Sequence, residues 1–192
     1  MVAIAIIVVS YLLGAVPFGL ILARRFAGID VRAQGSGNIG ATNVARTSGK
    51  KLGVLTLILD ATKGALPVLT AAWLGQPIAV VAGAGLAAVI GHVFPIYLKL
   101  RGGKGVATAA GMFLALAPLP TLAAVAVFGL LFLAFRVVSV GSLAGAITLL
   151  AAIAVLDPRR EVLVVAAIVV ALVFVRHAGN IQRLLNRSEQ GL

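Results

Sequence analysis

The chain has 192 residues, of which 61% are hydrophobic and only 11% are charged, whereas an ordinary soluble domain carries roughly 25% charged residues. This excludes a soluble core, and we expect one membrane-embedded domain over residues 1–192, with the lipid bilayer as its solvent. The net charge of +11 would suit nucleic acid, but only 6% of residues are aromatic and the basic residues stand between apolar runs, so no nucleic-acid partner is expected.

Apolar runs predict seven transmembrane α-helices, an all-α polytopic fold. A helix rises about 1.5 Å per residue, so about 20 residues cross the roughly 30 Å hydrocarbon core. In chain order the predicted spans are residues 2–23, 52–73 and 78–91, two shortened helices within 106–135, then 140–156 and 162–175. The first run has no preceding positive charge, so it is interpreted as a retained span and not as a signal peptide.

The stretch 106–135 decides between seven spans and six. Pro118 and Pro120 favour a helix break near residues 117–120. With seven spans only Arg159 and Arg160 among the basic residues lie outside, which suits the excess of Lys and Arg on cytoplasmic loops. With six spans four others would lie outside: Arg136, Arg176, Arg183 and Arg187. The sequence therefore predicts seven spans, with the N-terminus outside and the C-terminus in the cytoplasm.

Three polar clusters fall on the predicted cytoplasmic side. The first, residues 35–46, contains a G-x-G-x-x-G pattern, but no strand precedes it, so a dinucleotide fold is not indicated. Its glycines allow close backbone approach to an anion and its polar side chains add donors; a flexible polar loop is the alternative. The candidate substrate-contacting residues in this cluster are Gly35, Ser36, Gly37, Asn38, Gly40, Asn43 and Arg46.

The second cluster is Gly102-Gly103-Lys104-Gly105, with Thr108 downstream. It opens a helix, where backbone N–H groups, the helix dipole and the Lys104 charge favour phosphate. The Walker A spacing is missing, and a plain basic loop beside the membrane is the alternative.

The third cluster combines polar residues of two segments, which are Arg136, Ser139, Ser142, Arg176, His177 and Asn180. On a continuing helix His177 and Asn180 share a face. Alone, His177 also fits an interfacial histidine. Within the second span, Asp60 and Lys63 share a face, and either an ion pair or a substrate role fits them.

These clusters resemble the bacterial acyl-phosphate:glycerol-3-phosphate acyltransferase family over nearly the whole chain. The resemblance rests on Tyr11-Leu12-Leu13-Gly14, residues 35–46, Leu59-Asp60 with Lys63-Gly64 and Pro67, Gly91-His92 with Pro95, residues 102–108, and Arg176-His177 with Asn180-Ile181 and Arg183-Leu184-Leu185. Ala15, Leu100 and Arg187 depart from the family pattern.

The resemblance implies an enzyme of the bacterial cytoplasmic membrane that transfers a fatty acyl group from acyl phosphate to glycerol 3-phosphate, giving lysophosphatidic acid at a cytoplasmic active site. It implies catalytic roles for Ser36, Asn38, Arg46, Lys104, His177 and Asn180, and a structural role for Glu189. Substrate contacts are expected from Gly35, Gly37, Gly40, Asn43, Lys63, Gly102, Gly103, Gly105, Thr108 and Ser142. With no cysteine and two histidines, no metal and no cofactor are expected.

Two other classes fit parts of the sequence. An anion carrier or channel could use broken helices and glycine loops to coordinate phosphate, but no internal repeat is evident and the polar residues gather on one side. A noncatalytic scaffold could bind anionic lipid through its basic surface, which leaves the Ser, Asn and His positions unexplained.

Overall fold

In the computed structural model, which describes residues 1–191, ten α-helices, two short 3-10 turns and their connecting loops account for the chain, and no strand forms in this range. The helices are α1 Val2–Gly14, α2 Phe18–Ala27, α3 Ala41–Ser48, α4 Lys50–Trp73, α5 Ile78–Val93, α6 Val106–Leu116, α7 Pro118–Phe135, α8 Val138–Leu156, α9 Arg160–Arg176 and α10 Ala178–Leu185. The all-α prediction is confirmed. The helices form two compact units, an N-terminal unit Met1–Met112 and a C-terminal unit Phe113–Leu192.

Five helical stretches are long and apolar enough to cross a bilayer, namely Val2–Ala27, Lys50–Trp73, Ile78–Leu98, Pro118–Phe135 and Val138–Leu156. A bent pair, α9 followed by α10, makes a sixth. Between residues 106 and 135 the predicted break is confirmed, because Ala117 leaves helical geometry and separates the 11-residue α6 from α7. The total of seven spans counts the short apolar α6 as a crossing and stays a prediction.

The helices of the N-terminal unit approach one another at glycines. A Cβ added to Gly14 would overlap the carbonyl oxygen of Ala88, and one added to Gly91 would overlap that of Tyr11, so α1 and α5 touch backbone to backbone. The same holds for α4 and α6, because a Cβ on Gly64 would overlap the Thr108 carbonyl oxygen. Small residues let helices pack closely where lipid supplies no hydrophobic drive to association.

One prediction about the first span needs correction. Residues 2–23 are not a continuous helix, because α1 ends at Gly14 and α2 begins at Phe18 and runs on past Arg24 and Arg25. Pro17 has no N–H to continue the helical ladder. The Lys63 Nζ of α4 donates to the Val16 carbonyl oxygen in this break at 2.8 Å, which satisfies a group that apolar surroundings would otherwise leave unpaired.

In the C-terminal unit, α8 packs against both α7 and α9. Gly141 and Gly145, one helical turn apart, bring α8 close to α7, where an added Cβ would lie 2.9 Å from the Phe128 carbonyl oxygen and 3.1 Å from that of Ala124. The buried face of α9 is a row of valines that includes Val162, Val165 and Val169.

A second correction concerns the chain after the last apolar run. His177 and Asn180 were expected on one continuing helix, but α9 ends at Arg176 and α10 starts at Ala178, with an angle of 57° between them. His177 therefore occupies the bend, and Asn180 lies in the first turn of the new helix.

Candidate functional site

The segment between α2 and α4, which contains the first polar cluster, is a folded structure organised by one asparagine. Asn43, in α3, is only 2% exposed. Its Nδ2 donates to three backbone carbonyl oxygens, those of Val31 at 2.9 Å, Gln34 at 3.1 Å and Asn38 at 2.8 Å. Its Oδ1 accepts the Ser36 N–H at 2.9 Å. The Asn43 amide thus holds the loop closed, and the substrate contact expected of Asn43 stays a prediction.

Around that asparagine, the loop turns on glycines and leaves its other candidate residues near the surface. Gly35 and Gly37 have φ of 56° and 69°, a region that other residues enter at a cost. Ser36 is exposed, Asn38 is half-buried, and Arg46 is exposed in the last turn of α3. The Asn38 Oδ1 accepts the Gly40 N–H at 2.8 Å and so shapes the start of α3.

Acidic Asp30 ties the basic end of α2 to the same segment. Arg24 donates to its Oδ2 at 2.6 Å, and Arg32 donates to both of its oxygens. Hydrogen bonds from Arg32 and Arg24 hold the pKa of Asp30 well below its usual value, so this carboxylate is charged at any physiological pH.

The second candidate segment, residues 99–105, is a strained turn that opens α6. Lys99 and Leu100 have φ of 51° and 63°, which is uncommon for side chains of this size. The N–H groups of Gly102 and Gly103 donate to the Val93 and His92 carbonyl oxygens, each at 3.1 Å. These two amides are therefore used within the fold, and the substrate contacts expected of Gly102 and Gly103 stay predictions.

The donors available for an anion at this loop come later in the chain. The first intrahelical bond of α6 runs from Ala109 N to Gly105 O. The N–H groups of the first turn, beginning at Val106, therefore have no carbonyl acceptor within their own helix and carry the positive end of its dipole. Lys104 is half-buried immediately before this turn. Charge and dipole thus coincide at one helix start, as an anion site requires.

Two further candidates of the N-terminal unit are deeply buried. Lys63, 2% exposed, forms an ion pair with Asp60 at 2.8 Å, so the ion pair considered from the sequence is present. Thr108 is fully buried, and its hydroxyl has no hydrogen-bond partner among the described residues. A substrate role for either residue stays a prediction.

In the C-terminal unit, the bend at His177 fixes the tautomer of the ring. His177 is 2% exposed, and its Nδ1 lies 2.8 Å from the Val173 carbonyl oxygen. A carbonyl only accepts, so Nδ1 carries the proton, and Nε2 is the acceptor nitrogen of the neutral ring. Such a ring can accept a proton at Nε2 or orient a hydroxyl there.

Glu189 joins three segments of the C-terminal unit. Its carboxylate accepts from the Asn180 amide, from Ser139 Oγ of α8 at 3.0 Å and from Arg183 Nε of α10 at 2.6 Å. These contacts hold the tail against both helices, as the structural role implied by resemblance requires. Sequence reasoning grouped Ser139 with the third cluster but did not identify its partner, because 50 residues separate the two.

Ser142, one turn beyond Ser139 on α8, is 5% exposed and donates its hydroxyl proton to the Val138 carbonyl oxygen at 2.9 Å. Its lone pairs can still accept a hydrogen bond. Within residues 1–191 no group of three or more His, Cys, Asp or Glu side chains is arranged to hold a metal ion.

Comparisons with known proteins agree on one family. The family profile described as glycerol-3-phosphate acyltransferase matches residues 4–187. A glycerol-3-phosphate acyltransferase of Myxococcus xanthus (strain DK1622) is 50% identical over 97% of both chains. One of Geotalea daltonii is 45% identical over 97% of this chain and 95% of the relative.

Solved structures give the same answer. PlsY (YgiH), an integral membrane glycerol 3-phosphate acyltransferase, superposes in its glycerol 3-phosphate form with a TM-score of 0.95 at 40% identity, covering 100% of this chain and 96% of that one. Its lysophosphatidic acid form superposes with a TM-score of 0.93 at 39% identity, with the same coverage. With its apolar helices, its matching family profile and its similarity to these relatives, the chain belongs to the glycerol-3-phosphate acyltransferase family of multi-pass integral membrane enzymes.

Proposed function

We propose that the chain transfers a fatty acyl group from acyl phosphate to the 1-hydroxyl of glycerol 3-phosphate, giving lysophosphatidic acid and inorganic phosphate, in the first acylation step of bacterial phospholipid synthesis. The observation that carries this proposal is the start of α6, where Lys104 and the first-turn N–H groups coincide. The PlsY structures in glycerol 3-phosphate and lysophosphatidic acid forms support the acceptor and the product.

The choice of acyl phosphate as the acyl donor follows from its chemical reactivity. Acyl phosphate is already activated, because phosphate is a good leaving group, so no acyl-enzyme is required. The chain has no cysteine, and the buried hydroxyls of Ser139 and Ser142 donate to Glu189 and to the Val138 carbonyl oxygen. Direct transfer fits these residues better than a covalent relay.

We assign anion binding to Arg46 and Lys104, with Ser36 and Asn38 as polar contacts and His177 and Asn180 orienting glycerol 3-phosphate. Both substrates carry phosphate, so cationic groups offset a repulsion that would otherwise separate them. The site faces the cytoplasm, where the soluble acceptor enters from water while the acyl chain stays in the bilayer. The residue range 1–192 acts as one acyltransferase domain.

In the proposed step, the glycerol 1-hydroxyl oxygen attacks the acyl carbonyl carbon, an ester bond forms, and the carbon–oxygen bond to phosphate breaks. The departing phosphate accepts the hydroxyl proton, so no protein base is needed. The alternative gives that proton to His177 Nε2. A His177→Gln variant that keeps substantial turnover supports the phosphate as acceptor, whereas near-complete loss with unchanged substrate binding supports His177.

The test of the donor uses purified protein and one acceptor. Inorganic phosphate should be released when acyl phosphate and glycerol 3-phosphate are both present, and no product should form from acyl-CoA or acyl carrier protein. Product formation from acyl-CoA alone would refute the donor assignment. Trapping a stable acyl-Ser36 species before acceptor is added would refute direct transfer.

A further inference from the structure

Three ionisable side chains are buried together behind the 102–105 loop, and the reaction proposed above uses none of their charges. Asp60 and Lys63 lie on α4, His92 lies near the end of α5, and each is at most 4% exposed. The Asp60 Oδ1 is 2.8 Å from Lys63 Nζ and 3.6 Å from His92 Nδ1. Buried charges of this kind are costly in a membrane protein unless they serve an arrangement that needs them.

Lys63 makes structural contacts with two other parts of the N-terminal unit. Besides Asp60, its ammonium reaches the Val16 carbonyl oxygen at 2.8 Å and lies 5.5 Å from the centre of the Phe18 ring, within range of a cation–π contact. Lys63 therefore fixes Asp60 and the break between α1 and α2, and Asp60 presents the same carboxylate oxygen to His92.

His92 touches the glycine loop in two separate ways. Its backbone carbonyl oxygen accepts the Gly103 N–H at 3.1 Å. Its imidazole covers the position where Gly103 would carry a side chain, because a Cβ there would overlap Nε2 and approach Cδ2 to 3.0 Å. At Gly102, by contrast, an added Cβ would overlap the backbone carbonyl oxygen of His92 and not its ring.

We propose that His92 is a positioning residue for acyl transfer. Asp60 orients its imidazole, the ring sets the backbone of Gly103, and this backbone directs Lys104 and the first turn of α6 toward a substrate phosphate. The inference rests on the phosphate role proposed for this loop. It adds a chain of contacts from a buried ion pair on α4 to the anion site, through a histidine that itself touches no substrate.

The first test separates positioning from simple stability. In a His92→Ala variant we expect the KM for the phosphate-bearing substrates to rise about 10-fold or more, since small displacements of a binding group are costly. Thermal unfolding in detergent reports the folded fraction. A Val81→Ala variant, which truncates another buried residue of α5 far from the loop in sequence, should leave KM unchanged.

The second test uses the difference between the two glycines. Gly103→Ala alone should be severely impaired, because its Cβ collides with the imidazole, and His92→Ala should relieve that collision. The double variant should therefore lose much less kcat/KM than the product of the two single losses. The matched control combines Gly102→Ala with His92→Ala. The Cβ at position 102 clashes with the backbone carbonyl oxygen of residue 92, which His92→Ala does not remove. The kcat/KM losses of these two single variants should therefore multiply in the double variant.

Two results would overturn the positioning role: an unchanged KM in folded His92→Ala protein, or Gly103→Ala and His92→Ala losses that multiply as in the Gly102 control. Recovery of kcat/KM in the Gly102→Ala, His92→Ala double variant would also refute the positioning role, because the recovery would then not depend on removing the imidazole ring. The cycle is measured with whichever donor the wild-type chain uses, so a failed donor assignment is recognised in the wild type and leaves this test intact.

Discussion

At the scale of single residues, Asn43 shows how one buried polar side chain can determine the shape of a loop. Both ends of its amide are engaged by loop backbone, and it is 2% exposed. Satisfied in this way, a buried amide specifies one loop conformation, whereas a half-satisfied one would be destabilising.

We expect Asn43→Asp to lower stability by about 1–3 kcal/mol, because the carboxylate keeps the acceptor for Ser36 N–H but loses every donation to the loop carbonyls. Chemical unfolding in detergent measures the change. Asn186→Asp, at an exposed position after α10, serves as the control. Full stability with a raised KM for glycerol 3-phosphate would instead indicate that Asn43 contacts the substrate.

Arg46 and Lys104 are assigned to anions, so their loss should reduce turnover without unfolding the protein. We expect Lys104→Ala and Arg46→Ala each to lower kcat/KM by about 100-fold or more, the effect of removing a charge-stabilising group from a reaction centre. Thermal unfolding should match the wild type. Arg101→Ala, an exposed basic residue beside the same loop, is the control. Normal activity in both test variants would contradict the phosphate site.

Glu189 gives stability a pH dependence. Burial raises its pKa, but hydrogen bonds from Asn180, Arg183 and Ser139 outweigh this and hold the pKa below its usual 4.5. A lowered pKa in the folded state means that the contribution is present above the unfolded value and is lost as pH falls through the folded one.

Accordingly, wild type should be more stable than Glu189→Gln at pH 7, and this difference should shrink as pH falls below about 4.5. Melting temperatures of both proteins across this range provide the measurement. A stability difference that stays constant down to pH 3 would contradict a charge-dependent role for Glu189.

At the scale of helices, the C-terminal end of α6 is capped from another loop. Arg159, between α8 and α9, donates through Nη2 to the Leu116 carbonyl oxygen at 2.7 Å, and its Nε donates to Asp157 Oδ1 at 2.8 Å. The negative end of the helix dipole also favours a cation at this C-terminus. The hydrogen bond from Arg159 lowers the pKa of Asp157, so the pair stays charged.

We expect Arg159→Ala to destabilise the protein by about 1 kcal/mol without changing KM, because the arginine is 40% exposed and holds one helix end. Arg160→Ala, the exposed neighbour, removes the same charge with no such contact and should be nearly neutral. Thermal unfolding of the two variants measures their stability. Equal losses of stability in Arg159→Ala and Arg160→Ala would exclude the capping role.

Helix ends were predicted correctly from sequence where one local residue type, such as proline, determines them. They were predicted wrongly where contacts with residues far along the chain determine the structure. Pro118 and Pro120 correctly predicted the break after α6, because proline interrupts a helix at its own position. Pro17 carried the same signal, but an unbroken apolar run outweighed it. The length of α3, the bend at His177 and the internal use of Asn43 depend on tertiary contacts that no local pattern records.

At the scale of the whole molecule, the distribution of basic residues predicts orientation. We expect a reporter fused after Leu192 to face the cytoplasm and one inserted near Arg159 to face outside, since seven spans place most basic residues inside. Protease accessibility or paired periplasmic and cytoplasmic reporters measure this. A cytoplasmic reporter at Arg159 would support six spans and would mean that α6 does not cross the bilayer.

The ion pair inside α4 has a consequence for biogenesis. Asp60 and Lys63 are three residues apart on one helix, so their charges offset each other without the help of any later helix. α4 reaches the bilayer ahead of α5 and its histidine, yet its apolar part, residues 52–73, already carries no net charge. Separating the pair, by moving the lysine to another helix, would leave a lone carboxylate facing hydrocarbon at that moment and would stall insertion, even if the finished protein tolerated the change.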